Sequence, residues 1–281
     1  MAVSYQSVAT TAFATSNNIT IAKPSGLAVG DLMIAIVEVL GIGDNLSITG
    51  TGWTQSTGST SYDFEILYKT ATSGDVAASD FTFATDGSKF CAGAIVRIEN
   101  GAGTDMTVGT LFNAGSSSTP TYTTGITPTE ANALLLFFTF ANGTFGTATV
   151  SDYAITTSNP SWTESYDLAG DDTVDGVMAM AYATRPETTG TGNFSCIYST
   201  SVSSGGLLIS VPEKIDVTVS PAVISVVASV QAPSVSADAN VTVASTLSVT
   251  ASVQAPTVSM PVDTWTNQDK NSSTWTNQSK S

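Results

Sequence analysis

The chain has 281 residues, enough to bury a real core in one large β domain or two ordinary domains; 42% are hydrophobic and only 11% charged. Eight Lys and Arg against 23 Asp and Glu leave a formal charge of −15, so the basic footprint needed for nucleic acid or anionic lipid is missing. Histidine is absent, which excludes Ser-His-Asp and Cys-His catalysis and every His-ligated metal site.

Residues 1–6 contain no basic segment and no apolar block, so the expectation is a chain made without a secretory leader. The run from Leu32 to Leu40 is broken by Glu38, and the run 131–141 by Asn132 and Thr139. Both are too short to span a membrane, and no membrane partner is expected. Leu32-Met33-Ile34-Ala35-Ile36-Val37 predicts a strand covered on both faces. Tyr62, Phe64, Ile66 and Tyr68 alternate with Asp63, Glu65 and Lys69, the pattern of a strand with one wet face, and Phe194, Cys196 and Tyr198 alternate in the same way. Pro24-Ser25-Gly26, Asp86-Gly87, Asn142-Gly143 and the segment 190–193 punctuate these runs as turns. The fold class expected is all-β, an antiparallel β-sandwich or jelly roll of many short strands.

Residues 1–213 are written twice, with half-repeats at about 1–105 and 106–213. Gly30-Asp31-Leu32-Met33-Ile34-Ala35 is matched by Ala131-Asn132-Ala133-Leu134-Leu135-Leu136. Gly52-Trp53-Thr54-Gln55-Ser56 is matched by Ser161-Trp162-Thr163-Glu164-Ser165, and the strand ending at Tyr68 by the one ending at Tyr182. Phe81 and Ile95 are 14 residues apart, as are Phe194 and Leu208. An internal pseudo-duplication with about four strands per half would give an eight-stranded double-sheet roll.

The texture changes after Pro212. Residues 214–262 are almost wholly Val, Ala, Ser, Thr and Pro and read as a β-rich repeat arm, in which 225–233 recurs as 248–256. Leu247, Val249, Ala251 and Val253 alternate with Ser248, Thr250 and Ser252. Apolar faces this thin do not offset the entropy of ordering the chain, so the arm needs a surface to lie on. The tail, 263–281, repeats Thr-Trp-Thr-Asn-Gln around Trp265 and Trp275. Trp265 and Trp275, with Val249 and Val253, are the candidate docking residues, because a buried aromatic anchor dominates many interfaces; the alternative is a hairpin folded back on its own domain.

No phosphate loop or nucleotide-binding glycine motif occurs. Asp171, Asp172 and Asp175 suggest a loose calcium loop or a plain acidic turn, but Thr173 and Tyr182 stand where an EF-hand needs ligands. Asp31 and Asp44 fall in turn contexts where a carboxylate caps local backbone. Glu38, Glu65 and Glu164 lie near strand positions without a reason to pair as glycosidase carboxylates. Trp53 and Trp162 could stack on sugar rings, but their equivalent positions favour a repeated core or turn role. Cys91 and Cys196 sit in alternating apolar stretches, expected as buried free thiols with a bridge as the alternative. No enzyme activity and no cofactor are expected.

The Gly30-to-Ala35, Gly52-Trp53-Thr54 and Leu67-Tyr68-Lys69-Thr70-Ala71 patterns resemble a domain found in bacteriophage virion and prophage proteins. The Val-Gln-Ala-Pro repeats with a Thr-Trp-Thr-Asn-Gln ending are similar to the tails of phage minor structural proteins. The resemblance implies a virion building block assembled in the host cytoplasm: head decoration, head fibre or tail-associated. Its implied partners are other copies of itself, as a trimer or other cyclic oligomer, and other virion proteins. For a tail-associated version that serves host attachment, a host-surface glycan is a further partner.

Overall fold

The computed structural model describes residues 2–40, 48–59, 64–143, 146–170 and 175–214, and the backbone of four strands in the C-terminal segment. The chain divides into two compact units, Met1–Lys214 and Ile215–Ser281.

The first unit is built almost entirely of antiparallel strands. They are β1 (Ser4–Ala22), β2 (Leu32–Leu40), β3 (Thr54–Ser59), β4 (Phe64–Thr70) and β5 (Asp80–Glu99), then β6 (Thr107–Val108), β7 (Phe112–Ser117), β8 (Thr121–Tyr122) and β9 (Ala133–Gly143). The unit closes with β10 (Val150–Ile155), β11 (Thr163–Gly170), β12 (Asp175–Arg185), β13 (Phe194–Tyr198) and β14 (Val202–Val211). The one α-helix among the described residues is α1 (Ser73–Ala77), closed by a capping box between Thr72 and Asp75 that strand periodicity does not reveal. No helix among the described residues is long and apolar enough to cross a membrane.

The first half forms a sheet in the order β1-β5-β2-β4-β3, and the second half a sheet in the order β11-β12-β9-β14-β6, with β7 also on β14. Taken from the opposite edge, the second order is the first again: opening strand, last strand, long apolar strand, then the two strands of a hairpin. The hairpins agree in detail. Thr54 pairs with Tyr68 and Thr163 with Tyr182, and each edge strand then carries a bulge, between Gln55 and Thr57 and between Glu164 and Tyr166. The shared Trp-Thr-x-Ser sequence thus brings its serine, Ser56 or Ser165, to the same irregularity.

One sequence match slides by a residue. Ile95 pairs with Ala35, but Leu208 pairs with Phe137 rather than Leu136. Leu32 therefore corresponds to Leu134, and Gly30 to Asn132. Both of these take the left-handed conformation, at φ 94° and 60°, which glycine adopts freely and asparagine tolerates. A slip of one would have turned every side chain to the wrong face.

The two large sheets stack through Leu32, Ile34 and Ile36 against Leu134, Leu136, Phe138 and Phe140. Phe64 and Phe140 stack across this seam, with ring centroids 4.2 Å apart. Each fully buried side chain of this size contributes about 1.5–3 kcal/mol. The expected single eight-stranded roll, four strands from each half, is not the arrangement found: each half builds its own sheet and its own outer layer. In the first half the β1–β5 ribbon is continuous and bends back, so that Ile19, Ile21, Phe81 and Phe83 cover Met33, Ala35 and Val37. A Cβ on Gly93 would lie 2.6 Å from the tip of Ile21 and 3.3 Å from the Ile36 carbonyl oxygen, so the glycine leaves room for the ribbon to lie close. In the second half the same layer is broken into β8, β10 and β13, which form a separate sheet in the order β10-β13-β8. Tyr122 there lies over Gly206, 2.9 Å from where a Cβ would be.

The expected wet face of β4 is dry: Glu65 is buried along with Phe64, Ile66 and Leu67, because the outer layer covers that side too. Tyr62 and Asp63 lie outside the described residues. Both cysteines are buried free thiols.

In the second unit the described strands are β15 (Thr218–Val219), β16 (Ile224–Val230), β17 (Leu247–Val253) and β18 (Val258–Ser259), paired two by two as β15-β18 and β16-β17.

Candidate functional site

Trp53 and Trp162 stand at equivalent places, each just before the edge strand of its hairpin, and both are half-buried. Trp53 packs edge-on against Phe81 and tilted on Phe83, at 5.7 and 5.3 Å. Trp162 packs edge-on against Phe137 at 6.0 Å, and its indole N–H donates to Asn159 Oδ1 at 2.9 Å. Each indole closes one end of an outer core and keeps part of its surface in water.

The carboxylates weighed as a catalytic pair do not come together in the first half. Glu38 pairs with Phe64 and points into the seam between the sheets, whereas Glu65 belongs to the opposite face of β4. Glu65 accepts the Ile48 N–H at 3.3 Å, and burial raises its pKa above the ordinary carboxylate value. Asp31 caps local backbone as expected, accepting the Ala28 N–H at 2.8 Å, and also receives Arg97 Nε at 2.6 Å. Asp44 lies outside the described residues.

Around Trp162 the second half gathers acidic groups that strict alternation would separate. The bulge at Ser165 puts Glu164, opposite Ala181, and Asp167, opposite Ala179, on the same outer face of the sheet. Asp167 Oδ2 accepts the Val150 N–H at 2.7 Å, while Oδ1 is buried without a hydrogen-bond partner. Burial raises the pKa of both carboxyls, and the neighbouring Asp167 adds to the rise at Glu164. Above them Tyr153, only 8% exposed, rests edge-on on Phe137 at 5.1 Å with its hydroxyl unpartnered. Burial first, and then the charges of its neighbours, Glu164 and Asp167 among them, keep that phenol neutral. Sequence reading singled out Glu164 and Trp162 separately and missed Asp167 and Tyr153, because nothing in a period-two pattern announces a bulge.

The acidic turn is only partly described. Asp171 and Asp172 lie outside the described residues, and Asp175 is buried with its Oδ2 accepting the Gly146 N–H. Among the described residues no three His, Cys, Asp or Glu side chains converge as metal ligands. A separate buried polar cluster joins the Tyr122 and Tyr198 hydroxyls to Thr139 Oγ1 at 2.9 and 2.5 Å, and Tyr122 donates to Ser204 at 3.0 Å. Being fully enclosed by the second outer core, this cluster ties β8, β13, β9 and β14 together.

Trp265 and Trp275 lie outside the described residues. Val249 and Val253 fall in β17, where the register sets Val249 opposite Ala228 and Val253 opposite Ile224. Val226 faces Ala251 and Val230 faces Leu247 on the same face of the ladder, with Ser225·Ser252 and Ser229·Ser248 on the other. The two strands are near copies of one another, so the repeat pairs with its own repeat.

No family model matches this chain, and neither the curated proteins nor the solved structures include a match.

Proposed function

We propose that this chain is a structural component of a phage particle. In this reading it is displayed on the head surface as a decoration or head-fibre protein, held by its C-terminal arm through association with other copies of itself. The observation that carries the proposal is the ladder between Ile224–Val230 and Leu247–Val253. An isolated two-stranded ribbon is marginal in water, and the apolar face of this one, Ile224, Val226, Ala228 and Val230 paired with Val253, Ala251, Val249 and Leu247, is only four pairs long. Because its strands are copies of one another, the edge and face offered by one chain are matched by those of the next. Closed cyclic assembly, a trimer or another ring, would cover the apolar faces without open growth.

The first unit supports a display role by chemistry. It has no histidine, no carboxylate pair set across a cleft among the described residues of its first half, and an acidic, Ser/Thr-rich composition suited to solubility at high local density. Its two-layered halves are read as jelly-roll-like modules, and the segment after them as the repeat arm. Sedimentation of the full-length protein tests the association: a stable oligomer is expected, reduced to monomer by Val249→Asp with Val253→Asp. A full-length protein that stays monomeric at micromolar concentration would refute it. Antibody to the first unit should label the heads of particles of the encoding phage; label on tails selects the tail-associated role, and unlabelled particles remove the virion role.

The half-exposed indoles favour a second reading, a tail-associated receptor-binding module that stacks Trp53 or Trp162 on host-surface glycan. Retention on immobilised host glycan that is lost in Trp53→Ala or Trp162→Ala would establish it, and equal retention of both variants would dismiss it.

A further inference from the structure

Two bulges on facing strands meet at one place in the second half. On β11 the bulge at Ser165 turns Glu164 and Asp167 to the same side. On β10 the register breaks between Ser151 and Ala154, and Asp152 is held in the left-handed region at φ 52°. A non-glycine residue there is uncommon and costs energy. The effect is to re-aim Tyr153 onto Phe137, beside the two carboxylates, as bulges near functional sites commonly do.

The resulting group of oxygens is under-used. Asp167 Oδ1 and Tyr153 Oη are both buried and unpartnered, although burying a polar atom without a partner costs about 1–3 kcal/mol. Neither Glu164 nor Asp167 is ion-paired with any described residue; the cations of the ion pairs go to Asp75, Asp31 and Glu187. The fold does not demand this arrangement. At the equivalent places on β3 the first half carries Gln55 and Gly58, around the same bulge.

We propose that Glu164, Asp167 and Tyr153 form a binding site for one hard divalent cation, with calcium the best match. Carboxylate oxygens are the ligands such ions prefer. Glu164 reaches the ion from the solvent side, Asp167 offers Oδ1 from within while Val150 fixes Oδ2, and Tyr153, remaining neutral, donates to a water on the ion. Water completes the shell. Two carboxylates and few protein ligands place the affinity in the weak range, with Kd on the order of 10⁻⁴–10⁻³ M. The site is independent of the arm and of the virion proposal.

Terbium, a luminescent stand-in for calcium, tests the idea in the full-length protein. With the Trp162 indole on the same outer core, selective excitation of tryptophan, which leaves Tyr153 unexcited, should sensitise terbium emission, and calcium should quench it by displacement. Isothermal titration with calcium should give one site, weakened roughly tenfold or more in Asp167→Asn and in Glu164→Gln. Trp162→Phe should lose the sensitised emission but keep the calorimetric site, and Trp53→Phe should keep both. Circular dichroism of each variant without metal confirms folding, and Tyr153→Phe supplies a third variant that leaves both carboxylates in place. Absence of calcium heat and of terbium emission at millimolar metal would overturn the proposal. So would binding unchanged in the Glu164→Gln/Asp167→Asn double variant, which would move the ion elsewhere.

Discussion

The two halves of the first unit share a strand order but spend their residues differently on it. In the first, one continuous β1–β5 ribbon bends over its own sheet and the outer core is apolar, with Val37, Ile21 and Phe83 at its centre. In the second, the same layer is cut into separate strands, and the positions equivalent to Val37 and Ile21 are Thr139 and Tyr122, which belong to a hydrogen-bonded cluster. The first half holds its layer by chain continuity and the second by side-chain bonds. Once the covalent connection between layers is lost, specific polar contacts have to fix what the ribbon fixed before. Both halves keep the glycine beneath the returning strand, Gly93 and Gly206, where an added Cβ would crowd the Ile21 or Tyr122 side chain.

The seam that joins the halves is where the comparison can be broken most severely. Phe64 and Phe140 are fully buried and stacked across it, whereas the equivalent positions are Met178 and Glu38. Phe140→Ala removes a fully buried ring that packs on both halves at once and should cost about 3–5 kcal/mol, read by chemical denaturation. A loss below 1 kcal/mol would mean that the sheets are held mainly elsewhere along the seam.

The contrast between continuity and hydrogen bonding is sharpened by Thr139→Val, which gives the second half the residue of the first. Tyr198 and Tyr122 then lose a shared hydroxyl partner in a site closed to water, and the expected cost is about 1–3 kcal/mol. Val has nearly the shape of Thr, so the loss reports the hydrogen bonds. A neutral result would show that the cluster is incidental and that the apolar packing around Phe137 and Phe194, 4.9 Å apart, holds the layer.

Much of this architecture was legible in the residues. Strand alternation gave the all-β class, and the recurring Trp-Thr-x-Ser, Tyr and Phe landmarks fall on equivalent strands. What escaped reading has local physical causes. The one-residue slide between Gly30 and Asn132 was hidden because fully buried strands are apolar at every position, so that Leu32-Met33-Ile34 fits Ala133-Leu134-Leu135 as well as it fits Leu134-Leu135-Leu136. The burial of Glu65 was hidden because alternation describes one sheet and says nothing of a second layer above it. The joining of Glu164 to Asp167 was hidden by the bulge at Ser165, since residues three apart on a regular strand face opposite ways. Five-residue α1 is too short for a helical period to register and shows only through its Thr72–Asp75 cap.

The smallest expected effect separates the halves by their response to acid. In the first half, burial pushes the Asp75 carboxyl up, but the Lys69 ammonium and the Thr72 donors outweigh it and hold it below its usual value. Its contribution is present above the unfolded-state pKa and is lost as pH falls through the lower folded value. In the second half, Glu164 and Asp167 are raised, by burial first. The folded state therefore binds their protons more tightly than the unfolded chain, and these two groups add stability as pH falls from neutral through their folded values toward about 4. Glu164 is largely solvent-facing, so its share is screened and stays below about 1 kcal/mol. Glu164→Gln, melted in chelator so that no cation occupies the site, should raise the neutral-pH Tm slightly and flatten its rise on mild acidification. Asp75→Asn should leave that rise intact and instead lower stability at neutral pH. If Glu164→Gln melts in parallel with the parent protein from pH 7 to pH 4, the two carboxyls are not close enough in solution to sense each other, and the acidic face is two separate charges.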